Sequence, residues 1–264
     1  MTVLIDLLKV KVYTMKGQFK LDFGDDDDLQ HPSDMTITRD GDVAISDCGS
    51  LSVKIFSPFG TLTSQFGSDD VFSLPISLTT DVAGRQERFL VLDQDRQRIT
   101  IHLSTSGELL KDISVARIQT PQLINTHGCR LYISDFQNDT IHMYSTKDND
   151  VTYVAQLTPH GEKDGHFLDC SGTAVDHHGN LLVADMSVDR LHCVTPDGAM
   201  SYIIASGQQF MHPTNIAVSP CGLLAVAQQG SYIMETTEGP DDAAELEEIP
   251  QGNHVCLYRL IKAD

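Results

Sequence analysis

Asp40-Gly41-Asp42-Val43-Ala44-Ile45-Ser46-Asp47, followed by Val53-Lys54-Ile55-Phe56-Ser57-Pro58-Phe59-Gly60, reads as strand, wide loop, strand and tight turn. The apolar runs are too short for helices and are rich in β-branched and aromatic residues, which favours strands. The same plan recurs four more times. Aligned on the residue that ends the second strand, the copies meet at Asp47, Asp93, Asp135, Asp185 and Gln228, with steps of 46, 42, 50 and 43 residues. A period in this range belongs to propeller blades or long helical repeats, and the short runs Phe89-Leu90-Val91-Leu92, Leu131-Tyr132-Ile133-Ser134 and Leu181-Leu182-Val183-Ala184 select the former.

Glycines punctuate each copy at matching offsets. Asp40-Gly41, Ala83-Gly84, His127-Gly128, His178-Gly179 and Cys221-Gly222 separate a first strand from a second, and Phe59-Gly60, Ser106-Gly107 and Asp197-Gly198 follow a third. Glycine tolerates the positive φ that tight antiparallel turns demand. Each full copy therefore predicts about four antiparallel strands, a unit that buries both faces only against its neighbours. The expectation is an all-β fold, a single β-propeller domain over 1–264 with repeats at 31–67, 74–110, 120–157, 171–204 and 212–260.

Residues 8–24 predict an outer half-blade, with strands at 8–14 and 19–23 around Lys16-Gly17. Five inner-strand pairs are visible, so the ring is either five-bladed, with 19–23 as the fourth strand of the C-terminal blade, or an incomplete six-bladed one. Two acidic stretches interrupt the plan. The run 25–28 reads as a solvated loop, and 235–248 carries seven acidic residues around Gly239-Pro240. The latter has too little apolar content to repay its ordering entropy and predicts a surface insertion.

Acidic residues number 37 against 18 Lys plus Arg, a formal charge of −19. That field repels phosphate backbones and anionic membranes, so neither RNA nor a membrane is the expected partner. Six cysteines contain no CxxC pair, which fits reduced thiols in a cytoplasmic protein. No stretch approaches a transmembrane span or a signal peptide.

The units His31-Pro32-Ser33, Asp40-Gly41, Ile45-Ser46-Asp47 and Val53-Lys54-Ile55-Phe56, together with Asp93-Gln94-Asp95-Arg96-Gln97-Arg98-Ile99, resemble NHL repeats. The resemblance runs over roughly 8–260. It implies a β-propeller, most often six-bladed, such as the C-terminal domain of tripartite-motif (TRIM) ubiquitin ligases and translational regulators. The family's blade-entry Pro matches Pro32, Pro75, Pro121 and Pro213, while Ser171-Gly172 departs. Its Asp matches Asp47, Asp93, Asp135 and Asp185, while Gln228 departs. Of the Asn-x-Arg pair that follows, Asn138, Arg98 and Arg190 are present, and Ser50, Arg96, Val188, Ser52 and Thr140 depart.

The four blade carboxylates predict a structural role, accepting hydrogen bonds from loop N–H groups or from an arginine. Whole blades separate them, so they form no paired-acid site. The loops they begin, at 47–51, 93–97, 135–139 and 185–189, sit on a rigid scaffold and offer Arg96, Phe136, Asn138, Met186 and Arg190 to a protein or peptide. By resemblance, that ligand would be a ubiquitination substrate. No zinc-ligand spacing for a RING is present, so a ligase step would belong to another part of a parent protein or to another subunit.

Two other readings remain. One is an RNA-binding NHL domain of translational repression, served only by Arg96, Arg98, Arg130 and Arg190. The other is a calcium-dependent lactonase-like hydrolase with Asp34, Asn125, Asp176 and Asn215 as oxygen donors from inner strands. No nucleophile elbow, phosphate loop or HExxH occurs. The expectation is therefore a non-enzyme with no catalytic residue, no metal and no cofactor. The turn pair His177-His178 and the pre-proline His31 and His212 read as loop residues.

Overall fold

A computed structural model describes residues 2–6, 9–14, 18–24, 28–83, 86–147, 150–157, 167–199, 201–206, 212–219, 222–229 and 253–259. The acidic insertion 235–248, residues 25–27 of the other acidic run, the Lys16-Gly17 turn and Gly84 lie outside them. The chain groups into two compact units, the first holding 1–14 and 19–157 and the second holding 15–18 and 158–264.

The first unit contains four antiparallel sheets. β1 (Thr2–Asp6), β2 (Lys9–Tyr13) and β3 (Phe19–Phe23) form a three-stranded sheet in that order. Next come β4 (Pro32–Ile37), β5 (Val43–Asp47), β6 (Ser52–Phe56) and β7 (Leu62–Phe66), then β8 (Pro75–Ala83), β9 (Gln86–Asp93), β10 (Arg98–Leu103) and β11 (Leu109–Ser114). The fourth sheet is β12 (Pro121–His127), β13 (Arg130–Asp135), β14 (Thr140–Ser145) and β15 (Thr152–Leu157). The second unit holds β16 (Cys170–Val175), β17 (Leu181–Asp185), β18 (Arg190–Val194) and β19 (Ser201–Ser206), and a three-stranded sheet of β20 (Pro213–Val218), β21 (Leu223–Gln229) and β22 (Asn253–Arg259). The four four-stranded meanders are blades of a β-propeller.

Burial explains the short apolar runs. Every residue of β5 and β6 is buried, because each middle strand has a neighbouring sheet on both faces. Alternate residues then serve alternate cores. Val43 and Ile45 join Val10, Val12, Phe23 and Phe56, whereas Ala44 joins Val53, Ile55, Phe89 and Val91. One blade on, Leu90 and Leu92 turn to the cluster of Ile99, Ile101, Leu131 and Ile133. In the second unit Leu182, Ala184 and Leu191 pack with Ile216, Leu224 and Val226. Each such Leu or Ile contributes about 1.5–3 kcal/mol on burial, so the inter-sheet layers dominate stability.

The fourth strands are treated differently. β7 exposes Thr63, Ser64 and Gln65, and a register shift interrupts the outer ladder at Ile55/Phe56, Ile101/His102, Met143/Tyr144 and Leu191/His192. A bulge on an outermost strand twists it away from pairing with another chain. Inside the first unit, turns bind one blade to the next. Gly60 at φ +85° and Gly107 at φ +71° lie so close to Phe23 and Phe66 of the preceding sheet that a Cβ would stand 2.6 and 2.4 Å from the phenylalanine Cβ atoms.

The N-terminal expectation needs correction. The half-blade of 8–24 is a three-stranded sheet, because Thr2–Asp6 pairs along the whole of β2. Its apolar run is short and no glycine turn marks it. β3 hydrogen-bonds to β2 in its own sheet, and the described strands of the C-terminal sheet are β20-β21-β22. Among the described residues no helix is long and apolar enough to cross a membrane. Cys48, Cys129, Cys170 and Cys193 are free thiols.

Candidate interaction rim

One hydrogen-bonding unit occurs four times at the end of the second strand. The Asp47 carboxylate accepts the backbone N–H groups of Gln30 and His31 at 3.1 and 2.6 Å. Asp93 accepts Ser73 and Leu74 at 3.1 and 2.9 Å, Asp135 accepts Gln119 and Thr120 at 3.0 and 3.1 Å, and Asp185 accepts Leu168 and Asp169 at 2.9 and 3.0 Å. In every case the donors are the two residues before the blade-entry residue, Pro32, Pro75, Pro121 or Cys170, which pairs with the same aspartate in the ladder. Proline suits the entry because it has no N–H to place there. Its carbonyl is used instead: Pro75 accepts Ser33 Oγ at 3.1 Å, Pro121 accepts Gln94 Nε2 at 2.9 Å, and Pro213 accepts Ser171 Oγ.

The connection that leaves the aspartate is equally regular. Leu51, Gln97, Asp139 and Asp189 each stand four positions after it, with φ of 51, 47, 50 and 52°. That left-handed step reverses the chain into the third strand. The third position after the aspartate often returns to it, through Ser50 Oγ to Asp47 at 2.8 Å, Asn138 Nδ2 to Asp135 at 2.8 Å, and Arg96 Nε 3.8 Å from Asp93. In three blades the seventh position brings a cationic or imidazole group to the carboxylate from the next strand: Lys54, whose Nζ lies 2.9 Å from Asp47, and His142 and His192, whose Nε2 atoms lie 3.9 and 3.6 Å from Asp135 and Asp185. In the second blade that position is Thr100, whose Oγ1 meets His102 Nε2 at 3.0 Å instead. In the second blade Arg98, two residues before Thr100, takes the flanking place at 3.8 Å from Asp93.

These partners decide the electrostatics. Burial alone would raise the Asp47 pKa, but the N–H groups of Gln30 and His31, the Lys54 ammonium and the Ser50 hydroxyl hold it at about 2. Asp135 moves the same way: burial opposes ionisation, and Asn138, the N–H groups of Gln119 and Thr120 and the nearby His142 overcome it. Burial pushes the His142 pKa down against the pull of Asp135. Each of the four carboxylates ties the loop entering a blade to the end of its second strand.

The loops so held carry the side chains expected to meet a ligand. Phe136 is 49 % exposed at the start of its loop, where its N–H bonds Thr120 O at 2.9 Å, and Asn138 is exposed beside it. Arg96 is also exposed, yet its guanidinium donates to the carbonyls of Asp69, Asp70 and Val71 at 2.7–2.9 Å. In the second unit Met186 opens the 3-10 turn Met186–Val188 and is half-buried, and Arg190 is half-buried opposite Asp185 in the ladder. Asn138 is brought onto Asp135, and Arg96 beside Asp93. Lys54, His142 and His192 were not anticipated; their constant offset from the aspartate was the signal.

The inner-strand oxygen donors are engaged in other ways. Asp34 Oδ2 accepts Ser77 Oγ at 2.5 Å and Leu78 N at 3.0 Å from the next blade, and Ser77 Oγ also accepts Ile124 N at 3.1 Å. Burial, only partly offset by these bonds, raises the Asp34 pKa to about 6. Asp176 caps its hairpin by accepting His178 N and Asn180 N, both at 2.8 Å, and Asn215 Oδ1 accepts Ile216 N at 2.8 Å. Among the described residues no three His, Cys, Asp or Glu side chains are grouped to hold a metal ion. The rings of exposed His177 and His178 lie 3.8 Å apart, and His31 and His212 use their backbone N–H groups on Asp47 and Asp189.

No family model matches the chain. It is similar to the E3 ubiquitin-protein ligase NHLRC1 of Homo sapiens, 24% identical over 210 residues, which covers 70% of this chain and 50% of that protein. The Rattus norvegicus protein gives 24% over 207 residues with the same coverage. The chain thus spans about half the length of the curated relatives it matches. Among solved structures, a streptogramin B lyase aligns with TM-score 0.60 and 15% identity over 83% of this chain and 69% of that one. The β-propeller domain of Myceliophteria thermophila Cps50 (Swd1) aligns with TM-score 0.56 and 9% identity over 83% and 86%. At these identities the solved structures speak to the β-propeller fold alone.

Proposed function

We propose that the chain is an NHL-type propeller that recognises a protein or peptide through the loops following its second strands, as the substrate-recognition part of a ubiquitin ligase. The observation that carries this reading is the clamp: a buried aspartate fixes each loop at both ends, so an exposed side chain such as Phe136 is presented with little ordering entropy left to lose on binding. The similarity to ubiquitin ligases supports the biological setting, and the ubiquitin-transfer step would lie outside this chain. Free thiols and strong acidity fit a cytoplasmic, non-membrane, non-nucleic-acid role. Quantitative capture of binding proteins by wild type and by Phe136→Ala, matched for thermal stability, tests it. Loss of a defined set of partners from the variant is the expected result, and identical sets from both would reject this loop as the recognition surface.

A second reading is an enzyme with its site on the inner strands, akin to the lactonase-like hydrolases. Two observations favour it: the likeness of fold to streptogramin B lyase, and a carboxyl, Asp34, poised to exchange a proton near neutral pH. Turnover of lactone esters, with and without added calcium, that disappears in Asp34→Asn would support it. Absence of turnover in wild type under both conditions would reject it. RNA recognition is the third reading. Filter binding that weakens steeply with salt would favour it, and no retention at low salt would exclude it.

A further inference from the structure

In the first unit the cations beside the loops that follow the second strands are already engaged. Arg96 gives its guanidinium to the carbonyls of Asp69, Asp70 and Val71 and stands 3.8 Å from Asp93. Arg98 donates to the Asp112 carboxylate and to the Val71 carbonyl, and Lys54 is buried against Asp47. Arg117 lies 4.5 Å over the ring of Tyr153, on the outermost strand of its sheet. The carboxylates of the same stretch have no such counter-charge. Asp69, Asp70 and Asp95 are exposed, and among the described residues no ion pair reaches any of them. Asp95 accepts the Ser73 hydroxyl at 3.3 Å, a neutral partner.

Hydrogen bonds join these acids and Phe136 into one continuous stretch. Arg96 ties 69–71 to the loop 93–97, from which Gln94 Nε2 reaches the Pro121 carbonyl at 2.9 Å and Gln97 Nε2 the Gln119 carbonyl at 3.1 Å. Between those two residues Thr120 accepts Phe136 N at 2.9 Å, and its hydroxyl donates to Gln137 at 3.2 Å. Cys48, on the loop of the preceding blade, registers the same field: burial most of all, then Asp47, Asp93 and Asp95, push its thiol pKa up against the opposing Ser33 bond. Taking the loop rim as the recognition surface, we propose that its ligand is a basic peptide segment, with an apolar residue seated on Phe136 and Lys or Arg side chains meeting Asp69, Asp70 and Asp95. A ligand that brings its own cations complements a rim whose arginines are occupied, whereas an acidic or phosphorylated one is repelled. Exposed charge pairs are individually weak, so the acids select among partners and hasten encounter while the apolar contact holds the complex.

The test is selection of a random peptide library displayed on phage against the intact chain at physiological salt, followed by anisotropy titration of the selected peptides. The expected peptides carry an excess of Lys and Arg beside an aromatic or aliphatic residue and lose binding to Phe136→Ala. They bind the triple variant Asp69→Asn, Asp70→Asn, Asp95→Asn about tenfold more weakly. Neutralising Asp40 and Glu108, exposed acids in turns outside these loops, changes binding less than about twofold. Peptides that need Phe136 but show no excess of Lys and Arg, or that bind the triple variant as well as wild type, overturn the basic ligand and leave the rim reading standing. An equal loss on neutralising Asp40 and Glu108 also overturns it, by reducing the preference to net charge. Peptides indifferent to Phe136→Ala, or no selected peptide at all, overturn the rim reading and the basic ligand with it.

Discussion

The Lys54 ammonium lies 2.9 Å from the Asp47 carboxylate, and both side chains are removed from solvent. Lys54 also donates to the Asp28 carbonyl, so one cation joins the clamp to the segment that precedes the blade. Removing it leaves a buried anion, but one that keeps its N–H and hydroxyl donors. Lys54→Met should cost about 2–4 kcal/mol in denaturant unfolding. Adding Asp47→Asn should restore part of that loss, because the uncompensated charge is gone. A double variant that loses the full sum of the two single effects would show that the pair is not coupled.

Asp47 also sets an acid limit. Its folded pKa of about 2 lies below the ordinary 3.8, so its contribution is complete above about pH 4 and is lost as the pH falls through about 2. The shift corresponds to roughly 2 kcal/mol. Asp47→Asn should therefore flatten the fall in stability between about pH 4 and pH 2, measured by thermal unfolding against pH. An unchanged slope would remove Asp47 from the acid response.

Asp34 has the opposite sign. With its pKa raised to about 6, the folded chain holds a proton that the unfolded chain releases, so wild-type stability falls as the pH rises from about 4 to 6 and the cost persists above that. Part of the Asp34 surface still meets solvent, which limits the effect to roughly 1–2 kcal/mol. Asp34→Asn, the residue that the chain itself uses at Asn215, should gain on wild type over that interval. A constant difference across pH 4 to 7 would contradict the assignment.

Gly60 and Gly107 should resist substitution far more than Gly128. All three have positive φ, but only the first two press a phenylalanine of the neighbouring sheet, and a Cβ added at Gly128 would meet nothing within 4 Å. Gly60→Ala and Gly107→Ala should each cost more than about 2 kcal/mol, against about 1 kcal/mol for Gly128→Ala, whose penalty is backbone alone. Equal losses at all three would mean that the blade-to-blade contact is soft.

What the sequence disclosed depended on how constant each signal was. The aspartates at Asp47, Asp93, Asp135 and Asp185 share a type and a place before a loop, so the blades and their strand ends were legible. The position seven residues later was not, because it holds Lys54, Thr100, His142 and His192, residues of three different chemistries, and only the lysine and the histidines approach the carboxylate. The Asp34–Ser77 bond was hidden by its 43-residue separation across two blades. β1 lacked a glycine marker and escaped notice. Arg96 shows the limit at the rim, since sequence reveals a cation on a loop but not that its donors are spent on Asp69, Asp70 and Val71.

Hydrogen exchange on the chain bound to a captured partner tests the recognition surface most directly. Amides of 136–139 should become slower on binding, and Asp135→Asn, by loosening the clamp, should speed their exchange in the free chain and weaken capture together. Protection confined to residues outside the loops that follow the second strands, with capture unaffected by Asp135→Asn, would contradict recognition at this rim.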